Sequence, residues 1–205
     1  MRLAQGSIIF HSIYNDIDGH AVSRDAAKNN QNKDGKNKFL YGEFPFITWY
    51  ALVKKADPKK DGIFFDLGSG VGRAPILSHL IFDFKKSVGI ELLEGLHNKA
   101  CEVQEELKKL PQSPFTNYLQ DRELSFINRN IFDIDLSEAD LIFFNYPLRD
   151  EKSFLRLEEK LLKELKPKTK IISTIRKFKN PAFKMFYSGN YKFSWGMSGA
   201  YFYEI

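Results

Sequence analysis

The sequence predicts an α/β protein whose mostly parallel β-sheet is covered by helices on both faces. Apolar strand-like segments alternate with segments whose apolar residues recur at helical spacing. The strands at 63–67 and 139–144 are nearly continuous apolar runs, which are typical of parallel strands buried on both faces. Strand 63–67 also leads through a glycine-rich turn into a predicted helix, as expected of a helical crossover in such a sheet.

The elements follow one another in a simple order. A helix over 44–55 begins the main domain and ends before Asp57-Pro58, because a proline disfavours helical backbone in the preceding residue. The following elements are strand 63–67, helix 72–84, strand 87–91, helix 93–109, a loop containing Pro111 and Pro114, strand 125–128, strand 139–144, helix 150–166 and strand 170–174. Residues 191–205 are aromatic and broken by glycine, which predicts an antiparallel pair that completes a seven-stranded sheet.

A chain of 205 residues is long enough for one well-buried domain and too short for two. Residues 1–38 are predicted as an N-terminal appendage, with short helical pieces up to residue 18 and a flexible basic loop over 19–38. Residues 39–205 form the main domain. No apolar run approaches the roughly 20 residues of a membrane span, and no secretory signal is apparent. We therefore expect a cytoplasmic protein without a membrane partner; nuclear location or delivery into a host cell stays open.

Charge and side-chain chemistry limit the other classes of function. The formal charge is +5, and its basic excess lies in 28–38 and 163–184. These segments either bind an acidic macromolecule such as a nucleic acid or simply solvate the surface. Cys101 is the single cysteine, which excludes an internal disulfide. The four histidines have no metal-ligand spacing, so no metal site is expected.

The turn after the first strand carries the main functional signal. Asp66 lies near the end of the strand, and Gly68, Gly70 and Gly72 follow at alternate positions with Ser69 among them. Glycines at such a turn allow positive φ and let the backbone approach a ligand at the start of a helix. A dinucleotide fingerprint places its third glycine three residues after the second, whereas two separate them here. The pattern resembles motif I of class I S-adenosylmethionine-dependent methyltransferases, and the alternative is a glycine-rich turn of an unrelated α/β protein.

Two further strand ends are predicted to bind such a ligand. Glu91 ends a strand about 20 residues after the glycines, where an acid accepts hydrogen bonds from an adenosine ribose. Alternatively, Glu91 is an ordinary carboxylate at a helix N-terminus. Asn130 and Ile131 lie where methyltransferases of this class place a polar partner for the adenine amino group and an apolar side chain against the ring. Asn130 replaces the expected acid, so the orientation of its amide matters.

Asn145 ends the strand at 139–144 and has three interpretations. Asn145-Tyr146-Pro147 is similar to the Asn-Pro-Pro-Tyr motif of methyltransferases that act on the adenine amino group, although Tyr146 and Leu148 break that pattern. In the second interpretation, Asn145 lines a channel for a lysine amine. In the third, it is a loop residue that bonds nearby backbone.

Several separated segments resemble, in the same order, the disruptor-of-telomeric-silencing family of non-SET histone lysine methyltransferases. They are Tyr41-Gly42-Glu43, the Asp66–Gly72 turn, Ile142–Asn145, Ser194-Trp195 and Tyr201–Tyr203. The resemblance spans residues 39–205 and implies a Rossmann-like class I methyltransferase fold, an S-adenosyl-L-methionine cofactor and a protein substrate with an acceptor lysine. The chain lacks the family's long basic C-terminal extension, so the resemblance does not imply a nucleosome as the substrate.

The resemblance also implies roles for individual residues. Tyr41 and Glu43 close over the methionine end of the cofactor, and Asp66 faces its amine. Gly68 and Gly70 lie on the carboxylate side with Ser69 between them, and Glu91 faces the ribose hydroxyls. Asn145 lines the lysine channel together with Tyr201 or, if the tail aligns differently, Tyr203.

Other functions use the same cofactor half and stay open at this point. A nucleic-acid amino-methyltransferase, acting on rRNA or DNA, would combine it with a basic surface. A small-molecule methyltransferase would need a wider pocket, and a binding module would hold the cofactor without turnover. Oligomeric state is not indicated by the sequence.

Overall fold

The computed structural model describes residues 2–29, 41–145 and 150–205. Its strands form a single seven-stranded sheet. They are β1 (Gly62–Leu67), β2 (Phe84–Glu91), β3 (Glu123–Asn128), β4 (Leu141–Phe144), β5 (Lys170–Thr174), β6 (Lys184–Phe193) and β7 (Gly196–Glu204). The strand order is β3-β2-β1-β4-β5-β7-β6. β7 runs antiparallel to both of its neighbours, whereas the other neighbouring pairs are parallel. The predicted sheet of a class I methyltransferase fold is confirmed.

Helices cover both faces of this sheet. They are α1 (Arg2–Tyr14), α2 (Gly19–Asn29), α3 (Phe46–Ala56), α4 (Arg73–Ile81), α5 (Glu94–Lys108), α6 (Pro114–Gln120) and α7 (Glu151–Glu164). Because side chains alternate along a strand, Phe64 of β1 joins one buried core with Trp49 of α3, and Phe65 joins a second with Phe154 of α7. Both cores consist mainly of fully buried aliphatic and aromatic residues, so β1 is anchored from both sides.

The order of elements brings the carboxyl ends of β1, β2 and β4 to one edge. β1 pairs with β2 on one side and β4 on the other, so the chain reverses its direction of travel across the sheet beside β1. Ligands of open parallel sheets bind at this point. Asp66, Glu91 and Asn145 lie at or directly after these strand ends.

Residues 19–29 correct one prediction. They form helix α2, although the sequence places them in a flexible loop. Among the described side chains of this helix, Ala26 is the one buried apolar side chain, beside the buried Gly19 and Ser23, so its apolar pattern is weak. A local signal was present, because the side chain of Asp18 accepts a hydrogen bond from Ala21 N at 3.0 Å, as an N-cap residue does. The rest of the predicted loop, 30–38, lies outside the described residues.

A second helix was also missed. The loop predicted around Pro111 and Pro114 contains α6, whose N-cap is Ser113. Ser113 and Thr116 exchange side-chain and backbone hydrogen bonds, which offsets the small size of the helix. The sequence also extends helix α4 too far: the helix ends at Ile81, Phe82 lies in the turn that follows, and Phe84 is already the first residue of β2.

The two N-terminal helices pack on other helices of the main domain. α1 lies against α4 and α2 lies against α5. Phe10 and Tyr14 of α1 are buried in the core that contains Phe64. Tyr14 also donates a hydrogen bond from its hydroxyl to the carbonyl oxygen of Val71, within the glycine turn, at 2.9 Å. None of the helices in the described ranges combines the length and apolar composition that a membrane-spanning helix requires.

Candidate active site

A cavity of about 600 Å³ opens at the carboxyl ends of β1, β2 and β4. This volume falls in the range of small-molecule sites in proteins. Ten residues that the sequence predicts for the site line the cavity: Tyr41, Glu43, Asp66, Gly68, Ser69, Gly70, Glu91, Asn130, Ile131 and Asn145. The cavity therefore brings together residues from five separate parts of the chain.

The glycine turn leaves room where a side chain would block the cavity. Gly68 and Gly70 have φ values of 91° and 55°, which side-chain-bearing residues rarely adopt. A Cβ on Gly70 would lie 2.6 Å from the Tyr41 ring. The backbone conformation thus favours glycine at both positions, and the Tyr41 ring also excludes a side chain at Gly70.

Glu91 fixes this turn from the neighbouring strand. Its Oε2 accepts from Gly70 N at 2.8 Å, and its Oε1 accepts from Leu93 N at 2.8 Å. Burial raises the pKa of Glu91, while these backbone donors act in the opposite direction. The carboxylate therefore holds the glycine turn against the start of α5 and also lines the cavity.

Asp66 is a buried acid at the carboxyl end of β1. It is 3% exposed, and its Oδ1 has no hydrogen-bond partner in the described part of the chain. Burial, and secondly the charge of Glu91, raise the pKa of Asp66 well above its ordinary value. Ser69 Oγ is likewise buried without a partner within the described ranges. Unpaired buried polar groups are costly, so their presence here indicates a site that a polar ligand completes.

These features fit S-adenosylmethionine. Asp66 offers an acceptor for its ammonium group, and Glu91 keeps further lone pairs for ribose hydroxyls. The glycine turn leaves the open cradle that the methionine portion needs. Both acids also complement a ligand with a sulfonium cation.

The third strand end forms another wall. Asn130 begins a 3-10 helix at Ile131–Asp133, and its Oδ1 accepts from Phe132 N at 3.1 Å. This bond fixes the orientation of the Asn130 amide. Its Nδ2 can still donate a hydrogen bond, and its Oδ1 keeps one lone pair that can accept another. The side chain of Ile131 is buried beside it. Arg156 of α7 stacks over the Phe132 ring at 4.1 Å from its centroid.

The segment Tyr41–Glu43 closes the opposite side. Tyr41 donates from its hydroxyl to Glu43 Oε1 at 2.8 Å. The same oxygen lies 3.1 Å from Arg73 Nε in an ion pair, although the N–H is not aligned for a hydrogen bond. Burial, followed by the neighbouring Glu43 charge, raises the pKa of Tyr41, so its phenol stays protonated. Glu43 thus accepts a hydrogen bond from Tyr41 in its own loop and forms an ion pair with Arg73 of α4.

The turn between β6 and β7 holds the Tyr41–Glu43 segment in place through hydrogen bonds and packing. Glu43 N donates to Ser194 Oγ at 3.0 Å, and Ser194 N donates to the Glu43 carbonyl oxygen at 2.8 Å. Trp195 packs against Gly42, where a Cβ would lie 2.1 Å from the indole ring. The loop therefore needs glycine at position 42 because an aromatic side chain covers it.

Asn145 is held from two sides. Its Oδ1 accepts from Thr174 Oγ1 at 2.6 Å, and its Nδ2 donates to the Gly42 carbonyl oxygen at 3.3 Å. Thr174 is fully buried at the end of β5. The following residue, Ile175, has a φ of 69°, a strained value for a β-branched residue that often marks functional sites. Phe143 also lines the cavity and gives this end an aromatic wall.

The two tyrosines of the tail differ in environment. Tyr201 does not line the cavity; it lies on β7 beside Ser173, with Lys177 Nζ 5.1 Å from its ring centroid. Tyr203 is 2% exposed, and its hydroxyl accepts from Phe178 N at 3.2 Å. Tyr203 is therefore a core residue. The role predicted for Tyr201 in an acceptor channel stays a prediction.

Sequence reasoning missed Arg73 and Thr174 at this site. Arg73 follows the glycine turn directly, and its position at the first residue of α4 was the available signal. Thr174 ends a predicted strand, so it satisfied the same strand-end rule that selected Asn145. Their partners come from other segments, which the sequence does not reveal.

The family model of histone methylation protein DOT1 matches residues 19–195. A histone-lysine N-methyltransferase, H3 lysine-79 specific, from Caenorhabditis elegans is 30% identical over 156 residues, covering 75% of this chain and 16% of that protein. A protein-lysine N-methyltransferase from Saccharolobus islandicus is 30% identical over 122 residues, covering 60% of this chain and 67% of that protein. The chain thus spans a small part of the animal relative and two thirds of the archaeal one.

Solved structures show the same fold. An RNA methyltransferase from Salinibacter ruber, in complex with S-adenosyl-L-homocysteine, has a TM-score of 0.58 at 22% identity, covering 78% of this chain and 92% of that one. A putative RNA methyltransferase from Pyrococcus horikoshii has a TM-score of 0.57 at 13% identity, covering 90% and 97%. Identities this low support the fold alone. The family model, which matches most of the sequence and includes the glycine turn and both strand-end acids, shows that this chain belongs to the DOT1 family.

Proposed function

We propose that this chain is an S-adenosylmethionine-dependent protein lysine N-methyltransferase. Its family membership and the names of its relatives in worm and archaeon support this activity. The observation that carries the proposal is a single cavity lined both by Asp66 and by Asn145. The Asp66 carboxylate suits the amine of the cofactor, and the Asn145 amide suits an acceptor amine.

The cofactor supplies a methyl group on a sulfonium cation. In this chain, Asp66 would hold its ammonium group, Glu91 its ribose hydroxyls, and Asn130 with Ile131 its adenine. Glu91 has a second effect, because its bonds to Gly70 and Leu93 keep the turn in a shape that admits the ligand. These contacts orient the donor, and orientation is the main contribution that methyl transfer requires of a protein.

At the acceptor end, the chain's task is to hold a neutral amine in line with the donor. Phe44 and Phe143 are buried aromatic residues that line this part of the cavity and exclude water. Desolvation and a nearby cation both lower the pKa of a lysine, which favours its neutral, nucleophilic form. Asn145 Oδ1 has a second lone pair beyond its bond to Thr174, and this lone pair would accept a hydrogen from the amine.

The proposed partner is a protein with an accessible lysine. Methyl transfer from a sulfonium to an amine needs no nucleophilic side chain from this chain, which agrees with a site built from acids, amides and aromatics. The basic segment 28–38, predicted to contact an acidic macromolecule, lies almost entirely outside the described residues. A nucleic-acid substrate is therefore kept as an outcome of the test below.

Two experiments test the proposal. Titration calorimetry with S-adenosylmethionine and S-adenosylhomocysteine should show saturable binding of both. The protein is then incubated with tritiated S-adenosylmethionine and a fractionated cell extract, and the labelled protein is hydrolysed to amino acids. We expect label in methylated lysine, and its loss with Asn145→Ala. Label in nucleic acid or in small molecules would overturn the lysine assignment, and absence of binding would overturn the proposal as a whole.

A further inference from the structure

Arg73 is a partly buried cation that lines the cavity. It is the first residue of α4, and its side chain is 16% exposed. Its guanidinium stacks on the Tyr14 ring at 4.5 Å from the centroid and donates from Nη2 to the Ile17 carbonyl oxygen at 3.5 Å. These contacts with α1 and with the segment after it fix the guanidinium beside the glycine turn.

The donors of this guanidinium are incompletely used. Nε lies 3.1 Å from Glu43 Oε1, yet it is buried without an aligned hydrogen-bond acceptor among the described residues. The bond to Ile17 is at the upper limit of hydrogen-bond length. An arginine has five N–H donors, and a buried one without an acceptor is costly. A further anion at this position would satisfy them.

The proposed cofactor carries one anion at its methionine end, the carboxylate. Among the described residues that line the cavity, Arg73 and Arg156 are the two cations. Arg156 is exposed and stacks over Phe132, beside the Asn130–Ile131 wall that is assigned to adenine. Arg73 instead lies next to Gly70 and shares the cavity wall with Asp66, which is assigned to the ammonium group. The N-terminus of α4 adds positive potential at the same place.

We propose that Arg73 binds the carboxylate of the S-adenosylmethionine methionine moiety and makes this chain select donors that carry it. The inference rests on the proposed function, because it presupposes the same donor. It assigns Arg73 two contacts at once: one edge of the guanidinium serves the ligand, while Glu43 keeps the ion pair that holds the Tyr41–Glu43 loop. A planar guanidinium with several donors can bridge two carboxylates in this way, whereas a lysine ammonium matches that geometry less well.

Titration calorimetry with two ligands tests this assignment on the full chain. S-adenosylmethionine carries the carboxylate, and decarboxylated S-adenosylmethionine lacks it but keeps the ammonium and sulfonium groups. We expect the wild type to prefer the first ligand. Arg73→Met should weaken S-adenosylmethionine at least about tenfold and decarboxylated S-adenosylmethionine much less, because only the first ligand loses a charged hydrogen bond. Arg73→Lys should keep part of the preference, since the charge remains.

A control makes the outcomes distinct. Arg156→Gln removes the other cavity arginine and should leave the preference between the two ligands intact. Equal weakening of both ligands by Arg73→Met would show that Arg73 acts only by holding the loop and would overturn the inference. If the wild type binds neither ligand, the proposed function itself fails.

Discussion

Thr174 donates a hydrogen bond from Oγ1 to Asn145 Oδ1 at 2.6 Å, across the ends of two neighbouring strands. On the other side, Asn145 Nδ2 donates to the Gly42 carbonyl oxygen at 3.3 Å. A reversed amide would place Oδ1 against the Gly42 oxygen, and two acceptors repel each other. Thr174 and Gly42 together therefore determine that the Asn145 oxygen faces β5 and its nitrogen faces the loop.

We expect Thr174→Val to slow methyl transfer about tenfold, because it removes the donor while keeping the side-chain shape. Affinity for S-adenosylhomocysteine should not change, since Thr174 does not line the cavity. Single-turnover transfer of tritium, combined with calorimetry, separates the two quantities. Thr174→Ser keeps the hydroxyl and should restore most of the rate. Equal rates in the valine variant and the wild type would rule out the orienting role.

Glu91→Ala should weaken binding of S-adenosylhomocysteine about 10- to 100-fold, because it removes an acceptor for the ligand and also frees the Gly70 and Leu93 amides. Calorimetry measures this directly. Asn145→Ala is the matched comparison: it should slow transfer while leaving the affinity near that of the wild type. Unchanged affinity in Glu91→Ala would remove the ribose assignment.

Asp66→Asn should stabilise the ligand-free protein at neutral pH while weakening ligand binding. Burial and the Glu91 charge raise the pKa of Asp66 above 3.8. A raised folded-state pKa contributes stability below the unfolded-state pKa, and this contribution is lost as the pH rises through the folded-state value. Asparagine does not ionise, so the Asp66→Asn variant does not lose this stability as the pH rises. We expect a gain of about 1 kcal/mol, or about 2–4 °C in Tm for a chain of this size.

Thermal unfolding of the ligand-free wild type and Asp66→Asn between about pH 5 and about pH 8 measures this effect. The difference in Tm between Asp66→Asn and the wild type should widen as the pH rises. Asp83→Asn gives a control of opposite sign, because hydrogen bonds from Arg2 and Tyr118 help lower the pKa of Asp83 to about 2. Removing that carboxylate should lower Tm at neutral pH. A constant gap between the wild type and Asp66→Asn would contradict the assigned cause.

Tyr203→Phe and Tyr201→Phe should act on different properties. Tyr203 accepts from Phe178 N inside the core, so its loss should reduce the free energy of unfolding by about 1 kcal/mol without changing transfer. Tyr201→Phe should change transfer if this residue reaches the acceptor, as the family resemblance implies. Chemical denaturation and single-turnover transfer measure the two effects. A wild-type rate of methyl transfer in Tyr201→Phe would contradict a role for the Tyr201 hydroxyl in the acceptor channel.

The strands and the strand-end acids were predictable because their signals are local. Asp66 and Glu91 each lie at the carboxyl end of an apolar strand, and parallel strands bring their carboxyl ends to one edge. Position along the chain was therefore enough to place both acids in one cavity. The helix α2 was missed because it buries few apolar side chains, and its capping by Asp18 was the weaker signal.

The contacts that complete the site were not predictable in the same way. Arg73 pairs with Glu43, and Thr174 pairs with Asn145, across 30 or 29 positions of sequence. No periodicity or spacing rule joins such residues, because their proximity follows from the strand order and the loop path. The sequence thus supplies candidates for a site, and the packed fold decides which of them meet.

The hydrogen bonds between Ser194 and Glu43 join residues 151 positions apart. During synthesis, Glu43 leaves the ribosome long before Ser194 does, and a domain generally folds as a unit. Nascent chains that do not yet include Ser194 therefore lack the hydrogen bonds that hold the Tyr41–Glu43 segment in place. A product truncated between the glycine turn and Ser194 therefore carries that turn without the contacts that complete the cavity wall.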